Sequence, residues 1–97
     1  MTDADRISRF ANVDRELAEL VVIAATRGGH SVKHLRGPCK HKELVAARRW
    51  VVARARARRG SDGRPRFSYW QIARALNRDH TTVIHHERVA IAAGGGQ

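Results

Sequence analysis

The chain predicts an all-α domain of about five helices that closes with a helix-turn-helix, and three observations carry that expectation. Apolar residues recur at helical spacing through Leu17, Leu20, Val21 and Ala24 and again from Leu44 to Ala55. Period-2 alternation occurs only in "ARARAR" at 53–58, where it continues a helical run rather than marking a strand. Glycine and proline gather in short breaks, "RGGH", "RGP" and "GSDGRP", that divide the chain into helix-length pieces.

The pieces are justified in order. Residues 1–12 carry no sustained apolar period and are expected to be a flexible N-terminal segment, leaving one domain over 13–93. "NVDRELAELVVIAA" offers Asn12 or Asp14 as an N-cap with acids in the first turn, predicting a helix over about 13–26 that Gly28 and Gly29 stop. "SVKHLRG" is a short amphipathic turn, capped by Ser31, with Val32 and Leu35 inward and Pro38 ending it. "HKELVAARRWVVARARARR" lacks glycine and proline and predicts a long helix over about 41–58, with Leu44, Val45, Trp50, Val51 and Ala55 as its apolar stripe. "GSDGRPRF" is a loop. "SYWQIARAL" follows as a short helix capped by Ser68, then "DHTTVIHHERVAIAA" as another beginning at Asp79, and residues 94–97 form a frayed tail.

Charge narrows the function. The 97 residues hold 19 Lys+Arg against 9 Asp+Glu, a formal charge of +10, which favours a polyanionic partner. Residues 36–66 contain eleven Lys/Arg against Glu43 and Asp62 alone, whereas the first twenty residues are acidic on balance. No apolar run of about 18 residues could span a bilayer and no signal-peptide core follows the start, so the expected location is the cytoplasm, on the nucleoid. A single cysteine, Cys39, excludes an internal disulfide.

The chemistry-bearing residues concentrate in "NRDHTTVIHHER". Two short helices joined by "LNRD", anchored by Ile72 and Leu76 on one and Val83 on the other, have helix-turn-helix spacing, and Ala73 is small enough for the helices to cross closely. The second helix of such a unit enters the major groove N-terminus first. Asp79 can cap it or accept from cytosine, His80 can meet a base or phosphate, Thr81 and Thr82 offer hydroxyls and methyls, and Arg78 suits a phosphate. The competing reading of Asp79 and Thr82 is capping alone. His30, His34, Cys39 and His41 lack paired zinc-ligand spacing, and His85 and His86 point about 100° apart on a helix, so no metal is expected. Asp79, His80 and His85 have no serine or cysteine nucleophile and no phosphate cradle beside them, so no catalytic residue, small-molecule substrate or cofactor is expected.

At "RDHTTVIHH" the chain resembles the C-terminal helix-turn-helix domain of DnaA, the bacterial replication initiator, with its "GRDHTTVLHA"-type recognition helix. "SYWQIARAL" resembles the "SLPEIGDAF"-type supporting helix, "AARRWVVARARA" the "RPRQMAMALAKE"-type basic helix and "IAATRGGHSVKHLR" the "VAEYFNIKVSDLL"-type opening, so the resemblance covers about 20–93. It implies that Arg78, Asp79, His80, Thr81, Thr82 and His85 read the major groove of a DnaA-box-like duplex, and that Lys40 and Lys42 occupy minor-groove positions. It further implies that Arg48, Arg49 and Arg56, with Tyr69 and Trp70, lie along the phosphates. Three departures accompany it: a turn one residue shorter, lysine at 40 where the family has arginine, and a longer loop that adds Arg64 and Arg66 as extra phosphate contacts. Read as a complete chain from Met1, it has no room for an ATPase module, which points to a small regulator of transcription or replication initiation, phage-encoded or carried on a mobile element. The alternative from another class is nonspecific nucleic-acid or RNA binding by charge alone, for which the few aromatic residues offer little base stacking.

Overall fold

The structure, a computed structural model, describes residues 3–10, 12–38 and 40–92. They form an all-α fold of six helices: α1 (Asp3–Phe10), α2 (Arg15–Gly28), α3 (Val32–Arg36), α4 (Lys42–Ala57), α5 (Tyr69–Leu76) and α6 (His80–Ala92). Arg59 and Pro65 pair in a single antiparallel bridge within the α4–α5 loop. The five expected helices are present. The expected flexible segment is corrected: α1 occupies most of it, because Ala4 and Ile7, three residues apart and so on one face, are buried against the rest of the core. The frayed tail expected at 94–97 lies outside the described residues.

Each boundary has a local cause. Asp14, not Asn12, caps α2 by accepting from the Glu16 N–H at 2.9 Å. Gly29 takes a left-handed φ of 70°, and paired bonds from Gly29 N to Thr26 O and from His30 N to Ala25 O close the helix. Ser31 caps α3 through the His34 N–H. At α5 the cap is reciprocal: Ser68 Oγ accepts from Gln71 N while Gln71 Oε1 accepts from Ser68 N at 2.8 Å.

The core joins Leu17 and Val21 of α2, Leu35 of α3, Val51, Val52 and Ala55 of α4, Ile72 and Leu76 of α5 and Val83 of α6, all fully buried. The buried face of α4 is rotated from the expected one: Leu44, Arg48, Val51, Val52 and Ala55 face inward, while Val45 and Trp50 are only partly covered. The resemblance implied that Arg48 lies along the phosphates, yet it is buried in the i, i+4, i+7 series Leu44, Arg48, Val51. Phe67, at the end of the loop, is the largest fully buried side chain, and its burial contributes about 2–3 kcal/mol. It anchors a loop whose polar residues gave no hint of a core contact.

A candidate nucleic-acid interface

The α5–α6 unit builds the candidate site. Ala73 is 3% exposed and Val83 is fully buried, so the two helices meet over a small side chain at their crossing. Asn77 adopts a left-handed φ of 55°, its N–H bonding Arg74 O and the Arg78 N–H reaching back to Ala73 O at 2.9 Å. A turn of three residues, 77–79, thus separates α5 from α6. Arg36 reinforces the end of α5 from outside, donating to the carbonyls of Ala75 and Arg74.

Asp79 caps α6. Its Oδ1 accepts from the Thr81 hydroxyl at 2.6 Å, the Thr82 N–H at 2.8 Å and the Thr82 hydroxyl at 3.0 Å. These bonds, the Thr81 hydroxyl first, hold the carboxyl down at about 2. The capping reading therefore accounts for Asp79 and Thr82, whose polar groups serve the helix start. Oδ2 of Asp79 has no partner among the described residues and retains its acceptor capacity.

The exposed side of α6 runs Thr81, His85, Arg88 and Ala92, spaced i, i+4, i+7 and i+11, one continuous stripe. Thr81 and His85 were expected there. Arg88 was missed, although its seven-residue offset from Thr81 was a legible signal. At the head of the stripe, the ring of His80 stacks on Trp70 of α5 with centroids 4.0 Å apart and planes inclined by 26°. Neither His80 nitrogen is hydrogen-bonded among the described residues.

Lys40 and Lys42 are exposed beside the start of α4, and Arg78, just before α6, donates to Gly37 O at the end of α3 and to Asn77 O. Arg78 itself is half-buried and spends its donors on backbone.

Several of the residues expected along the phosphates have partners within the fold. Arg48 is 2% exposed and donates to the carbonyls of Leu35, His34 and Gly37. Arg56 donates to Glu87 at 2.8 Å and to Phe67 O, and lies 4.1 Å over the Tyr69 ring. Tyr69 donates its hydroxyl to Glu87 at 2.6 Å, and that bond, with burial, raises its pKa. Arg66 pairs with Glu16 at 3.3 Å, as does Arg58 at 3.1 Å. Arg49 donates to His86 Nδ1 at 3.3 Å. Each of these cations has an internal acceptor that the linear sequence did not disclose. Arg64 is exposed and forms no ion pair among the described residues.

His86 and Glu87, adjacent to the exposed stripe, face inward. Burial works against the Glu87 carboxylate, but the hydrogen bonds from Tyr69 and Arg56 outweigh it and hold its pKa below the usual value. Burial, with the Arg49 charge beside it, pushes His86 down to about 4. A histidine neutral in the fold must gain a proton as the chain unfolds in acid. Its contribution is fully present above the unfolded value of about 6.5 and is lost as pH falls toward 4, by up to roughly 3 kcal/mol. Urea unfolding of wild type and His86→Gln at pH 7 and pH 4.5 should show a wild-type loss that the variant lacks. Equal losses would remove His86 from the acid sensitivity.

No protein family, curated protein or solved structure matches this chain. Among the described residues, no three His, Cys, Asp or Glu side chains are grouped to hold a metal ion, and no helix is long and apolar enough to cross a membrane.

Proposed function

We propose that the chain binds double-stranded DNA with sequence preference through α5 and α6, in the manner of the DnaA C-terminal domain it resembles. The observation that carries the reading is the open stripe of α6, headed by a histidine with both nitrogens unpaired and continued by Thr81, His85 and Arg88. A helix N-terminus offering donors and acceptors from one face suits the major groove. Lys40 and Lys42, exposed a few residues beyond the Gly37 carbonyl that Arg78 bonds, supply charge for the adjacent backbone or minor groove. Base contacts then fall to His80, Thr81 and His85, with Asp79 Oδ2 as a further acceptor. Phosphate contacts fall to Lys40, Lys42, Arg64 and Arg88 rather than to Arg48 or Arg56. On this reading the protein works at the nucleoid as a small regulator of transcription or replication initiation.

Selection of duplexes from a random-sequence library by the wild-type protein is the direct test. The expected outcome is enrichment of one motif, on which His80→Ala loses about tenfold in affinity while its affinity for a scrambled duplex changes little. A library that emerges unenriched would assign binding to charge alone.

A further inference from the structure

Trp70 is 66% exposed, the largest exposed apolar side chain among the described residues. An indole exposed to solvent adds little to folding stability. Its neighbour is His80, stacked at 4.0 Å. The two rings come from the first turns of different helices, each locked by its own cap: α5 by the Ser68–Gln71 box and α6 by Asp79. Both backbones beneath the stack are thus fixed before any ligand arrives.

We infer that Trp70 is a specificity-positioning residue: its indole holds the His80 imidazole in one orientation at the head of α6, so that the free ring nitrogens present to a base edge without reorganisation. This rests on the DNA reading above. The imidazole is otherwise untethered, because no hydrogen bond within the described residues orients it. A stacked face leaves the ring's polar edge available, whereas a hydrogen bond would consume one of its two nitrogens. Stacking is therefore the contact that orients His80 while leaving its readout capacity whole. Tyr69, one residue earlier, faces Glu87 and Arg56 and takes no part.

Immobilising one side chain in advance is equivalent to about threefold to tenfold in affinity. Binding of the wild type, Trp70→Phe, Trp70→Leu, His80→Ala and the Trp70→Leu/His80→Ala double variant to the selected duplex and to its scrambled counterpart tests the inference. Trp70→Leu should lose threefold to tenfold on the selected duplex and less than twofold on the scrambled one. Trp70→Phe should stay near wild type, and Trp70→Leu should cost nothing further when His80 is already alanine. In the free protein, the His80 ring protons should resonate upfield in wild type and return to ordinary positions in Trp70→Leu. Equal losses on both duplexes, additive losses in the double variant, or unshifted ring protons would overturn the inference alone. A wild type that prefers no duplex would overturn the DNA reading and this inference with it.

Discussion

Arg48→Ala is expected to destabilise the fold by about 3–5 kcal/mol, because it removes a well-packed buried side chain and takes the donor from Leu35 O, while Gly37 O keeps Arg78 and His34 O keeps the Gly37 N–H. Nε donates to Leu35 O at 2.8 Å and Nη2 to Gly37 O at 3.1 Å and His34 O at 3.3 Å. These carbonyls lie at the end of α3, where the helix dipole makes a positive charge favourable. Alanine also opens a void between α3 and α4. For a domain whose total stability is of order 5–15 kcal/mol, that is a large fraction. The midpoint of thermal unfolding should fall by about 15 °C or more. Arg48→Lys should recover only part of this, since an ammonium lacks the planar fork that reaches several carbonyls at once. DNA affinity of the alanine variant should fall only as far as its folded fraction falls. An Arg48→Ala protein that is as stable as wild type but binds all duplexes more weakly, with a shallower salt dependence, would return Arg48 to the phosphate backbone.

The same residue explains how far the chain could be read in advance. The all-α class and five of the six helices were legible, because capping residues, glycine stops and 3.6-residue periods are local signals that tertiary packing here reinforces. The helix α1 was not, since eight residues with apolar positions only at Ala4, Ile7 and Phe10 give little periodic signal and gain their helicity from the face of α2 they cover. The stripe of α6 was half legible: Thr81 and His85 follow from the motif, and Arg88 from spacing that was there to be counted. The division of the arginines between inside and outside was hidden. A guanidinium meets three backbone carbonyls, a glutamate or a neutral histidine only after distant helices have packed, and nothing in "AARRWVVARARA" distinguishes Arg48 and Arg56 from solvated positions. His86 and Glu87 were opaque for the same reason, their partners being 37 and 31 residues away.

Withdrawing those arginines changes what the charge of +10 can do. On the proposed reading, Lys40, Lys42, Arg64, Arg88 and one neighbouring cation would neutralise about five phosphates, and affinity for any duplex should fall several-hundredfold between 0.05 and 0.2 M salt. That decline is indifferent to sequence. Base contacts from α6 add to it without altering its slope, so discrimination between duplexes should survive across the salt range.

The central claim is selective readout by α6, and the most direct measurement is titration of the wild-type protein against the selected duplex and its scrambled counterpart over that range. Two parallel falling lines, separated by about a thousandfold in affinity, are the predicted result. Two lines that coincide at every salt concentration would contradict it and leave a basic protein that holds nucleic acid by charge alone.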